Sequence, residues 1–115
     1  MTLSERHCVP CRGGLPRLDE AALAAGLREL AGWSLAAAGT RLERRFRFAD
    51  FAEAMRFVNA MAAVAEREGH HPDFAVHWNR VDVTIWTHDA GGLTENDLVL
   101  AALLGALPEA RGHAA

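Results

Sequence analysis

Apolar residues recur along this chain in two rhythms, one helical and one alternating. In "LDEAALAAGLREL", Leu18, Ala22, Leu23, Leu27 and Leu30 fall at helical spacing, with Asp19 placed to cap the start. Trp33, Leu35 and Ala37 then alternate with Ser34 and Ala36, which predicts a short strand ending at an Ala38-Gly39 turn. In "TRLERRFRF", Leu42, Phe46 and Phe48 share one face and Arg41, Glu43, Arg45 and Arg47 the other, while Arg44 interrupts the apolar side. Asp50 opens the strongest helical pattern, with Glu53 three residues on as a capping-box partner. Phe51, Met55, Val58, Ala62 and Ala65 follow, flanked by Ala54, Phe57, Met61 and Val64, a stripe broad enough for the main helix on a sheet. Gly69 fits the left-handed position that ends helices.

Beyond the pair His70-His71 and Pro72, "FAVHW" reads as a short strand and Asn79-Arg80 as a tight turn. In "VDVTIWTH", Val81, Val83, Ile85 and Thr87 face one way and Asp82, Thr84, Trp86 and His88 the other. Thr94 and Asp97 form a second capping box, opening a last helix with Leu98, Ala101, Ala102, Leu104 and Gly105 among its packing positions. The order is α-β-β-α-β-β-α. It predicts an α+β fold: a four-stranded antiparallel sheet with three helices on one face. The other face presents Thr84 and Trp86 and is expected to meet another surface, such as a second subunit. One domain spans residues 18–107. Residues 1–17, with Pro10, Gly13, Gly14 and Pro16, read as an arm, and the tail from 108 to 115 as frayed.

Composition narrows the function. At 115 residues and 23% charged, the chain is an ordinary globular domain. Its net charge of −3 argues against a nucleic-acid binder, which needs a basic surface, and Glu43 interrupts the one arginine run. No stretch reaches the roughly 18 apolar residues of a membrane span. The N-terminal "MTLSERHCVPCRGG" has no apolar signal core, so a cytoplasmic location is expected. The absence of lysine excludes Schiff-base chemistry. Cys8 and Cys11 form a CxxC that reads either as a reduced, incidental pair or as a metal or redox site.

The chemistry concentrates in histidines. The two strands after His71 form a hairpin, so its outer ends return to each other and His88 comes back beside the His70-His71 loop. Asp73 and Asp89 flank the same place. Three histidines would suit a zinc site. Adjacent side chains in extended backbone point apart, however, so acid–base catalysis fits better. Pro72 stiffens the loop and biases His71 toward an extended conformation. His7, His77 and His113 read as surface or arm residues.

Taken together, Glu66-x-x-x-His70-His71-Pro72, Phe74, Trp78, Thr87-His88, Gly92-Leu93-Thr94 and Asp97 resemble the pterin-4a-carbinolamine dehydratases. The likeness runs over roughly residues 18–107, and the "HCVPCRGG" arm resembles bacterial members. The resemblance implies a hydro-lyase, a 4a-hydroxytetrahydrobiopterin dehydratase, which gives quinonoid dihydropterin and recycles the cofactor of aromatic amino-acid hydroxylases. It implies no metal and no organic cofactor, a pterin substrate, a homodimer or homotetramer, and a link to phenylalanine hydroxylase. By correspondence His70 and His88 carry acid–base duty and His71 holds substrate. Glu66, Asp73, Phe74, Thr87 and Asp89 would make substrate contacts. Phe74 stands where many members have Trp, and Asn96 where animal members often have Arg. Two alternatives stay open: a non-catalytic partner or regulator of the hydroxylase, and a dehydratase for another pterin, such as the molybdenum-cofactor type.

Overall fold

A computed structural model describes residues 2–9 and 15–111. Its elements are α1 (Glu20–Leu27), β1 (Ser34–Ala36), β2 (Arg41–Arg47), α2 (Phe51–Glu68), β3 (Asp73–His77), β4 (Arg80–Ile85) and α3 (Glu95–Gly105). Short 3-10 turns occur at Leu3–Glu5, His88–Ala90 and Pro108–Ala110. The fold is the expected α+β arrangement. All strand pairs are antiparallel and the sheet order is β1-β2-β4-β3.

The alternating patterns decide which side of the sheet is covered. Leu42, Phe46, Val81, Val83 and Ile85 are buried on one face. Ala54, Phe57, Val58, Met61 and Val64 of α2 and Leu98, Leu100, Ala101 and Leu104 of α3 join them in one core. Burying a side chain of Leu or Phe size contributes about 2–3 kcal/mol. Phe46 and Phe48 lie 4.4 and 5.4 Å from the Phe57 ring, so aromatic contacts bind β2 to α2. Gly26 lets α1 approach α3: a Cβ there would meet a Leu98 methyl at 2.5 Å.

Several local expectations shift. The buried side of α2 joins Val58 and Ala65 of the predicted stripe to its flanking residues Ala54, Phe57, Met61 and Val64, while Ala62 is exposed and Phe51 is half exposed at the helix start. β3 begins at Asp73 and ends at His77, one residue earlier than "FAVHW" predicts. The hairpin turn is therefore Trp78-Asn79, with Trp78 at φ +48° and Arg80 already paired with His77. Asn79 instead ties the turn to the end of β2, donating its Nδ2 to Phe48 O at 3.1 Å and accepting Phe48 N–H at 2.8 Å. β4 stops at Ile85, short of His88; Thr87 makes an isolated bridge to Gly92, and His88 begins a 3-10 turn. Arg44, which interrupts the apolar face of β2, turns its guanidinium over the Phe46 ring and donates to Ala31 O. A long stem lets a charged head leave the core this way.

The segment before α1 is bound to the domain through described residues. Leu3 is buried in the core. Val9 N donates to Asn96 Oδ1 at 2.9 Å, and Asn96 Nδ2 donates to Val9 O at 2.7 Å. Glu68, its side chain nearly inaccessible, accepts from Cys8 N at 2.7 Å and from Arg67 Nε at 3.0 Å, and its other bond is to His7 Nδ1 at 2.9 Å. Residues 108–110 close their turn against α2. Cys11 and His113 lie outside the described residues.

Candidate functional site

Helix ends build the inner half of the site. Gly69 takes the left-handed conformation, φ +65°, that closes α2, and its N–H bonds back to the last turn. The chain then turns so that His70, buried, meets the first turn of α3. There His70 Nε2 lies 2.6 Å from Asp97 Oδ1. The second oxygen of Asp97, Oδ2, accepts from Thr94 N at 2.8 Å and from Thr87 Oγ1 at 2.7 Å. Thr87 and Thr94 hydroxyls are also 2.9 Å apart. One fully buried carboxylate thus caps α3, holds the end of the hairpin and orients an imidazole. The bond to Oδ1 fixes the orientation of the His70 ring. Nδ1 is the ring nitrogen that this bond leaves for other partners.

Aromatic stacking builds the outer half. His88 is exposed in its 3-10 turn, and its ring stacks on Trp86 with centroids 4.0 Å apart and planes 27° apart. Trp86 Nε1 donates to Asp73 Oδ2 at 3.2 Å, and the Arg41 guanidinium carbon lies 4.4 Å from the indole centroid. His71 bonds Glu66 at 2.9 Å, with both side chains largely in solvent.

The predicted residues are therefore drawn into anchored groups. His70 and Thr87 meet through Asp97, and Asp73 and His88 meet through Trp86. The groups join along the chain where Thr87 adjoins His88 and His70 adjoins His71. His71 and Glu66 form their own exposed pair at the same loop. Phe74 pairs with Val83 and so falls on the helix side of the sheet, half exposed, whereas Asp73 pairs with Thr84 on the open side. Asp89 is exposed in the turn after His88. Sequence reasoning took Asp97 for a helix cap and a residue of the family motif, without a site role, and Trp86 for a face residue. The first is a cap as well as a histidine partner, and its local cap signature hid the longer bond. Among the described residues, no three His, Cys, Asp or Glu side chains are grouped to hold a metal ion. No helix there is long and apolar enough to cross a membrane.

Comparison with known proteins adds to this geometry. The family described as Pterin 4 alpha carbinolamine dehydratase matches residues 16–107. A protein of Xanthomonas oryzae pv. oryzae named "Putative pterin-4-alpha-carbinolamine dehydratase" is 52% identical over 100 residues, covering 87% of this chain and 85% of the relative. One of the same name from Xanthomonas campestris pv. campestris is 50% identical over 105 residues, covering 91% and 89%. A crystal structure of a transcriptional coactivator/pterin dehydratase from Brucella melitensis superposes with a TM-score of 0.75 at 39% identity, over 78% of this chain and 96% of that one. A pterin dehydratase-like protein identified as a RuBisCO assembly factor in the α-carboxysome superposes at 0.60 with 26% identity, over 71% and 93%.

Proposed function

The chain belongs to the pterin-4-alpha-carbinolamine dehydratase family, and from that premise we propose that it dehydrates a 4a-hydroxytetrahydropterin by histidine acid–base catalysis. In this reaction the C4a–O bond breaks, a proton leaves N5, a proton joins the departing hydroxyl, and an N5–C4a double bond forms. One group must accept a proton and another must give one. His70 and His88 take these duties, and His71 with Glu66 holds the ring. The observation that carries the reading is the buried His70–Asp97 pair, 2.6 Å apart. A carboxylate that fixes one ring nitrogen leaves the other aimed and available, as in other histidine catalysts. His88, exposed on its indole, supplies the second proton site. Acid–base assistance of this kind is worth about 10²–10⁴-fold.

The assay is the loss of 4a-hydroxytetrahydropterin absorbance with purified protein and no added metal. Faster decay is expected with wild type. Wild-type rates in a His70→Ala/His88→Ala double variant would overturn the assignment of roles. Recycling of the cofactor of an aromatic hydroxylase, a cytoplasmic location and a homodimeric or homotetrameric state belong to the same proposal, and light scattering tests the last. A second reading, a non-catalytic partner-binding protein, draws on the structural neighbour identified as a RuBisCO assembly factor. Inactive protein that co-purifies with a hydroxylase would favour it. Turnover of a different pterin in preference would redirect the substrate.

A further inference from the structure

We infer that Trp86 is a positioning residue of the proposed dehydration site: its indole fixes the His88 imidazole and links it to Asp73. The inference rests on the acid–base role given to His88 above. His88 stands just after β4, exposed, in a short turn where an unsupported side chain would sample several rotamers in water. A proton-transfer group needs one orientation, and misplacement by about 1 Å can cost on the order of 10²-fold. The stack on Trp86, 4.0 Å between centroids, supplies that constraint from a single ring face.

The indole is itself immobilised by its neighbours on the sheet. Its Nε1–H donates to Asp73 at the start of β3, and Arg41 from the start of β2 lies over it. Residues from two strands and the 3-10 turn therefore meet at one ring. Trp86 is half-buried and one part of it packs against the core. By the alternation of the preceding strand it follows Asp82 and Thr84 on the open side rather than Val83 and Ile85 on the buried one. An aliphatic side chain could make that apolar contact as well. What the indole adds is a flat face for an imidazole and a donor for a carboxylate.

Two substitutions separate the features. Trp86→Leu removes both plate and donor; Trp86→Phe keeps the plate. Trp86→Leu is expected to lower kcat about tenfold with KM little changed, and Trp86→Phe to recover most of that loss. In a His88→Ala background, Trp86→Leu should lower turnover no further, because its effect runs through His88. NMR gives a readout independent of turnover. The His88 ring protons, lying over the indole, should resonate upfield in wild type and move toward free-imidazole positions in Trp86→Leu. An unchanged His88 ring-proton shift in Trp86→Leu overturns the inference, as does a tenfold loss that persists in the His88→Ala background. If wild type shows no pterin turnover, the functional reading falls, and the NMR comparison still decides whether Trp86 holds His88.

Discussion

The inner part of the site, His70 with Asp97, Thr87 and Thr94, is held by hydrogen bonds in the interior, whereas the outer part, His88 with Trp86, Asp73 and Arg41, is held by stacking at the surface. The difference has a physical cause. A buried carboxylate is tolerable only when its oxygens are satisfied, and Asp97 meets that demand by joining the loop after α2, the end of the hairpin and the start of α3. Its orienting bond to His70 cannot be separated from the fold. An exposed imidazole has water as an alternative partner, so holding it needs only a surface against which to lie. Its loss leaves no orphaned charge. Inner substitutions should therefore damage folding and chemistry together, and outer ones chemistry alone.

Asp97→Ala should show the largest effect. It leaves His70 Nε2, Thr94 N–H and the Thr87 hydroxyl without their partner. Each buried donor left unsatisfied costs about 1–3 kcal/mol, so the urea midpoint should fall steeply, with turnover lost as well. A loss under about 1 kcal/mol would show that the inner network is not what holds the three segments together. His88→Ala is the contrasting case. Turnover should fall by about 10²-fold or more, while the urea midpoint stays within about 0.5 kcal/mol of wild type. Comparable destabilisation in the two variants would erase the distinction between inner and outer parts.

That distinction was only partly legible in the sequence. Asp19, Asp50, Gly69 and Thr94 announce their helix ends because capping chemistry lies within three or four residues of chain. The hairpin brings His88 back toward the His70 loop for an equally local reason, two strands and a short turn. What stays hidden is long in sequence. The His70–Asp97 bond spans 27 residues and the Trp86–Asp73 bond 13, and neither pair has a spacing signature. The hairpin register slipped by one because Trp78, not Asn79, takes the left-handed turn position, a conformation unfavourable for a bulky residue that pattern reading does not select. Phe51 looks like core on a helical wheel, yet it is half exposed at the first position of α2.

A third region sharpens the rule that buried charge binds chemistry to fold. Glu68, at the end of α2, is buried like Asp97, but its partners are the leading segment. Burial pushes its carboxyl upward; bonds from the His7 ring, Cys8 N–H and Arg67, with the charge of His7, more than offset this and hold it at about 2. The folded value lies below the ordinary one. The stability it contributes is therefore complete above pH about 4.5 and is lost as pH falls toward about 2. Glu68→Gln should cost about 1–2 kcal/mol at neutral pH and should flatten the decline of the urea midpoint between pH 4.5 and 2. An equally steep decline in the variant would place the acid sensitivity elsewhere. Turnover at neutral pH should change little, since among the described residues the bonds of Glu68 are to His7, Cys8 and Arg67, outside the candidate site.

His71→Ala should change less than any of these, although His71 adjoins His70, the partner of Asp97. Although its neighbour is locked in the interior, His71 meets only Glu66 across 2.9 Å, with 60% and 79% of the two side chains exposed. Solvent screens such a pair and side-chain entropy opposes it, so its contribution to stability is about 0–1 kcal/mol. If His71 holds substrate and moves no proton, His71→Ala should raise KM a few-fold and leave kcat nearly unchanged, because it removes binding shared by the ground and transition states. Glu66→Gln should do less still, since the amide keeps an oxygen acceptor for the ring. A kcat loss in His71→Ala as large as in His88→Ala would move His71 from holding the ring to transferring a proton, and the boundary between the two adjacent histidines would then separate two environments rather than two roles.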